Sequence, residues 1–192
     1  MSLSDGDPAD DGDIWFRIVT QQGHLVRGRV HHSALGGNAI ARPKEDKNRP
    51  WDRELSGRLR TLAGTLDKIT QQAQAYCEAL TARGQGKKTF SGVMYVRVRD
   101  AKKSFENILT TAIHYTPLDD DEAHADLTFN GWIGDTKEEQ ERFNLWFTDM
   151  LHALHHPGQL QYLPEASALA RLLHCLRSTA LKAMHNFRGG VG

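Results

Sequence analysis

The feature that most restricts the fold is a run of apolar residues between positions 51 and 83. Leu55, Leu59, Leu62, Leu66, Ile69, Ala73, Tyr76 and Leu80 follow one another at alternating steps of four and three. That spacing keeps the side chains on one stripe and predicts a helix of roughly 30 residues, about 45 Å long. Such a seam can lie across a sheet of its own chain or zip against a second copy. Gly64 and Ala73 are weak zipper residues, so a crossover helix on the sheet is expected. Gly84 and Gly86 end it.

Two further helices are expected later in the chain. Over 135–154, Asp135 and Glu138 stand at capping-box spacing, and Phe143, Trp146, Phe147, Met150, Leu151 and Leu154 make the apolar face. His155, His156, Pro157 and Gly158 close it. Over 165–188, Leu169, Leu172, Leu173, Leu176, Ala180, Ala183, Met184 and Phe187 fill one arc. Arg171, His174, Arg177, Ser178, Lys182, His185 and Arg188 fill the opposite arc, and no acid follows Glu165. This helix is apolar on one side and purely cationic on the other.

Between the helices the pattern is strand-like. Residues 14–20 and 24–31 read as a hairpin turned at Gln21-Gln22-Gly23, and 89–99, 105–116 and 127–133 are rich in β-branched and aromatic residues. The expected fold is therefore one α+β domain over 14–188. Its antiparallel sheet has about five strands in the order ββ-α-βββ-αα, with the long helix and the two C-terminal helices packed on one face. Phe16, Ile18, Val26, Val30, Met94, Val96 and Val98 would face the helices, and the other face would be open and basic. Ser33 to Pro50 reads as a loop. Residues 1–13 read as a disordered acidic arm and 189–192 as a flexible tail.

The chain is formally neutral, yet its charge is segregated. Residues 1–13 hold five Asp and no Lys or Arg; 14–103 hold 18 Lys/Arg against 7 Asp/Glu; 104–165 hold 2 against 12; 166–192 hold 4 against none. Blocks of this kind set local fields and hence partners. No apolar run reaches the roughly 18 residues of a membrane span, so no membrane partner is expected. Cys77 and Cys175 have no disulfide or zinc spacing, which suits free thiols in a cytoplasmic protein.

If the segments 14–20, 24–31 and 89–99 pair in one sheet, their polar residues share one face. Trp15, Arg17, Arg27, Arg29, His31, Tyr95, Arg97 and Arg99 would then form a single platform, extended by Arg42 and Lys44 in the loop and by Arg171, Arg177, Lys182 and Arg188 on the last helix. Arginine neutralises phosphate and aromatic rings accept unstacked bases, so the expected function is non-enzymatic binding of single-stranded or structured RNA or DNA. The alternative is a protein-interaction subunit of a larger assembly, or a homodimer, because the acidic and basic blocks are complementary. A third reading takes His152, His155 and His156 as metal ligands of a hydrolase, completed by His114, His124 and Asp119 to Asp121. No other nucleophile, phosphate-loop or dinucleotide motif is present, and no cofactor is expected.

Overall fold

The first strand, β1 (Ile14–Val19), lies inside an antiparallel sheet and is apolar on both faces, with Ile14, Trp15, Phe16, Ile18 and Val19 all buried. The computed structural model describes residues 3–31, 34, 48, 50–131, 136–154, 157–173 and 175–176. After β1 come the short strands β2 (Leu25–Val26) and β3 (Arg29–Val30), then β4 (Arg53–Leu59), helix α1 (Leu66–Ala82) and β5 (Gly92–Arg97). A single helical turn, α2 (Val98–Ala101), leads to β6 (Ser104–Phe105), β7 (Leu109–Tyr115) and β8 (His124–Gly131), and α3 (Lys137–Met150) precedes β9 (His152–Ala153). The main sheet has seven strands in the order β6-β7-β8-β4-β1-β5-β9, where about five were expected, and every pairing in it is antiparallel. The mixed α+β architecture is as expected; its arrangement differs.

The helices do not share a face. In β1 the register sets Trp15 beside Val96 and Phe16 beside Tyr95, so neighbouring residues look to opposite sides. Ile69 of α1 belongs to the apolar cluster of Ile14, Phe16 and Val93. Phe143 and Phe147 of α3 belong to the other cluster, with Trp15, Val96, Leu55, Leu127 and Phe129. A strand with buried apolar residues on both sides has two faces to hide, and one layer of helices covers only one of them. The open basic face expected at β1 is absent.

Only the second half of the 51–83 run is helical. Thr65 caps α1, its hydroxyl accepting from the Lys68 amide at 3.2 Å. Residues 53–59 form β4 instead. Leu55 and Leu59 are four apart, a spacing that shares a strand face as well as a helix face. Gly57 shows why a strand is needed there: a Cβ at this position would lie 2.3 Å from Cε2 of Trp15. The indole crosses the bare glycine, and its Nε1 donates to the Ala125 carbonyl of β8 at 3.0 Å.

Residues 24–31 do not return along β1. They fold on themselves as the β2–β3 hairpin, whose turn residues Arg27 and Gly28 both have positive φ, 51° and 78°. Residues 4–13, where composition predicts a disordered arm, are hydrogen-bonded to the body. Gly6 and Ala9 amides donate to the Tyr115 and Ile113 carbonyls at 2.7 and 2.9 Å, and the Tyr115 amide donates to the Asp7 carbonyl. Backbone pairing along the free edge of β7 supplies what the acidic side chains cannot.

At α3 the cap is Thr136 with Glu139, one residue later than the expected Asp135 and Glu138, and the helix stops at Met150 so that His152 can pair with Tyr95. The apolar arc of the last helix, expected under the sheet, is out in solvent at Leu169, Leu172 and Leu176, while the small Ala166 and Ala170 make the buried contact. Residues 177–192 lie outside the described residues.

Candidate functional site

Among the described residues, those expected to bind nucleic acid are not gathered on one face. Trp15 is fully buried and acts as core, so its ring is not available to a base. Arg17 shares its side of β1 and spends its Nη1 on the Ser56 carbonyl at 2.5 Å. Tyr95 and Arg97 look to the opposite side, as the register with Phe16 and Ile14 requires. Arg97 and Arg99 are exposed at the far end of β5, where Arg99 pairs with Asp100 at 3.4 Å. Arg171 pairs with Glu165. Arg42, Lys44, Arg177, Lys182 and Arg188 lie outside the described residues.

A smaller cationic group does assemble. Antiparallel pairing of β1 with β5 sets Val19 opposite Gly92, so the segment leaving β1 and the segment entering β5 emerge at one end of the sheet. No acidic residue occurs from Ile14 to Ala34 or from Ala79 to Arg99. At that shared end the His31 amide donates to the His24 carbonyl at 2.9 Å. Burial first, and then the charges of His31, Lys88 and Arg17, hold the His24 imidazole below its ordinary pKa. Arg27 and Arg29 project from the hairpin and are exposed, as is Lys87. At the neighbouring edge Tyr95 stacks on His152 of β9, with ring centroids 5.2 Å apart.

Of the histidine cluster expected to hold a metal, only His152 falls among the described residues. His155 and His156 lie outside the described residues. His152 sits on edge strand β9, four strands away from His124 on β8, a separation of roughly 19 Å at the usual strand spacing. Among the described residues no group of three or more His, Cys, Asp or Glu side chains is placed to hold an ion.

The histidines on β7 and β8 belong to a different site, one that sequence reasoning missed. On the side of β4, β8 and β7 away from α3, three rows of residues stand in register. Arg58, His124 and Thr116 make one row, Ser56, Asp126 and His114 the next, and Glu54, Thr128 and Ala112 the third. Eight of these nine are polar, while the reverse face carries Leu55, Leu127, Ile113 and Phe129. His114 Nδ1 donates to Thr128 Oγ1 at 2.9 Å, because that hydroxyl gives its own proton to the Ala112 carbonyl. The Trp51 indole stacks on His114 at 4.5 Å and donates from Nε1 to Glu54 at 2.7 Å. Arg58 pairs with Asp121 at 2.7 Å.

Asp126 lies at the centre of this grid and is 4% exposed. Its Oδ2 accepts from Thr116 Oγ1 at 2.8 Å. Its Oδ1 has no hydrogen-bond partner and stands 3.8 Å from His124 Nε2. His124 Nδ1 lies 2.6 Å from the Thr116 carbonyl, which only accepts, so that nitrogen carries a proton. A proton on the Asp126 carboxyl, which burial favours, relieves the repulsion between the two facing groups. Burial raises the Asp126 pKa, opposed by the His124 charge and the Thr116 hydrogen bond, helped by Glu54 and eased by the nearby Ser56 hydroxyl. The arrangement is an acid–base pair on a hydrophilic floor.

Its signal was present in the sequence. His124, Asp126, Thr128 and Asn130 alternate with Ala125, Leu127 and Phe129, but a strand read from Leu127 onward leaves out the first two polar members. Comparison of the chain with family models, with curated proteins and with solved structures finds no match.

Proposed function

We propose that this chain is a non-enzymatic nucleic-acid-binding protein that takes single-stranded or structured RNA or DNA at the end of the sheet where the β2–β3 hairpin meets the segment entering β5. The observation that carries this reading is the joining of two acid-free segments at one sheet end, which places His24 within charge range of His31, Lys88 and Arg17. Arg27 and Arg29 would hold phosphates, and the stacked Tyr95–His152 pair would offer a ring surface to an unstacked base. Trp15 and the far-end Arg97 and Arg99 have no part in it. Binding of labelled single-stranded DNA and RNA, followed by fluorescence anisotropy as salt is raised, tests the proposal. Replacing Arg27, Arg29 and Lys88 together by Gln removes three phosphate contacts and flattens the log–log salt slope by about 2. A variant that binds with the native slope, or a native chain that binds neither polymer at low salt, ends the proposal and leaves the protein-interaction reading.

A second reading attaches to the polar grid, because Asp126 Oδ1 is a buried acceptor without a donor. Such groups in folded proteins mark strain, chemistry or a bound donor. A small molecule with an N–H or O–H group would supply that donor. Thermal-shift screening against Asp126→Asn separates this from a structural role: a ligand that stabilises the native chain and the variant equally does not use Asp126.

A further inference from the structure

The polar floor of β4, β8 and β7 meets water beside its most buried carboxyl. Ser56 stands opposite Asp126 in the β4–β8 register and is exposed, whereas the Asp126 side chain is 6% exposed. Thr116 Oγ1 donates to Asp126 Oδ2 at 2.8 Å, and no described residue donates to Oδ1. His124 Nε2 lies 3.8 Å from Oδ1. The His124 ring keeps its proton on Nδ1, against the Thr116 carbonyl at 2.6 Å, so in the neutral ring Nε2 presents a lone pair. Two acceptors therefore face the same gap.

Such a pair selects its donor by chemistry. A nitrogen with two or more protons, set about 2.9 Å from each acceptor, serves both at once. An alcohol has one proton and leaves one acceptor bare. A guanidinium pairs best with both oxygens of a carboxylate, and here Thr116 already holds Oδ2. Charge points the same way. Among the described residues, the charged and titratable groups around the gap are Glu54 and Arg58 on β4, Asp121 in the β7–β8 loop, His114 on β7 and His124 on β8. Arg58 is paired with Asp121 at 2.7 Å, and His114 gives its Nδ1 proton to Thr128. Glu54 and Asp126 are left as the carboxyls of the floor, which favours a cationic donor over a neutral one.

We propose that this floor binds a small primary amine in its ammonium form, held between Asp126 Oδ1 and His124 Nε2. This deepens, and rests on, the reading of Asp126 as the acceptor for a ligand; it is independent of the cationic sheet end. The ammonium is compact and carries three protons, of which two meet the facing acceptors and the third goes to water or to Ser56 Oγ. An opposite charge at that distance favours the ionised carboxyl, so the proton that burial keeps on Asp126 leaves for solvent as the cation enters. Oδ1 is itself closed to solvent, and entry requires Ser56 or His124 to turn aside; Ser56 is exposed and His124 partly so.

Histidine-ring nitrogen spectra of the full chain test it, with n-propylammonium as the probe at neutral pH. The His124 Nε2 resonance should shift and saturate as the probe is added. Tetramethylammonium, a cation without an N–H, should leave it in place, and so should 1,2-propanediol, a neutral O–H donor. Both comparisons use the native chain and hold whether or not a variant folds. Asp126→Asn should weaken propylammonium binding by about tenfold or more, the loss expected for a charge-assisted hydrogen bond. Far-UV circular dichroism verifies that the variant is folded. An equal shift with tetramethylammonium, or propylammonium affinity unchanged in Asp126→Asn, would overturn the inference. A diol that shifts His124 through Asp126 where the amine does not would overturn the amine and leave Asp126 as an acceptor. If none of the three probes moves His124, the amine and the acceptor reading fall together.

Discussion

The two halves of the sheet solve opposite problems. Around β1 and β5 both faces are dry: α1 covers one side and α3 with its aromatic neighbours the other. Around β4, β8 and β7 one face is equally apolar, and the other is a polar floor with a buried acid–base pair. The dry half derives its stability from packed area. The polar half gives up some stability to keep Asp126 and His124 together, since a buried carboxyl without a full set of donors costs free energy. Where a sheet is built at a cost, function is the place to look for the reason.

The largest expected effect falls on the dry half. Trp15→Ala removes a fully buried indole that bridges β1 to β8 and should cost about 3–5 kcal/mol in urea denaturation. Gly57→Ala attacks the same contact from the other strand, because the added methyl meets the ring at 2.3 Å. If both variants unfold as the native chain does, the indole is not the pin between strands, and the contrast between the halves fails.

A smaller effect of opposite sign is expected on the polar half. The folded Asp126 pKa is raised, so as pH rises above the ordinary 3.8 the unfolded chain loses its proton first, and stability falls across that window. Asp126→Asn removes this loss. The variant should gain about 1 kcal/mol over the native chain near neutral pH, and the gain should shrink toward pH 4. A variant less stable at every pH would show that the carboxylate is structural.

The smallest effect concerns His24. Its pKa is depressed, so the folded chain resists protonation, and stability is lost as pH falls below about 6.5. A bound polyanion offsets the charges of His31, Lys88 and Arg17 and lets His24 take up its proton. Nucleic-acid affinity should therefore rise severalfold on acidification from pH 7.5 to pH 6, and His24→Gln should reduce that rise. Affinity independent of pH in both proteins would place the partner elsewhere.

How much was legible in the residues follows the same division. β7 falls inside the strand expected over 105–116 from its β-branched residues, but Glu106 and Asn107 take positive φ and split that run into the antiparallel β6–β7 pair. β1 misleads because alternation between a covered and an open face does not hold where both faces are covered, so Trp15 is core and not a stacking ring. β4 misleads for another reason. Leu55 and Leu59 satisfy strand and helix spacing at once, and the true helix downstream extends the apparent seam back through them. The Ser33 to Pro50 loop lies almost wholly outside the described residues, so Arg42 and Lys44 carry no structural placement.

Sequence by itself determined the α+β class, the identity of most apolar segments, the segregation of charge and the amphipathic character of the last helix, because these depend on neighbours along the chain. Tertiary structure alone decided which segments pair, and with them which cations meet, which indole is hidden and which leucines stay wet. Strand order and register depend on contacts between residues distant in sequence, and a local period carries no information about its partner. The polar grid is the clearest case: its three rows come from β4, β8 and β7, and only their alignment makes eight ordinary polar residues into one site.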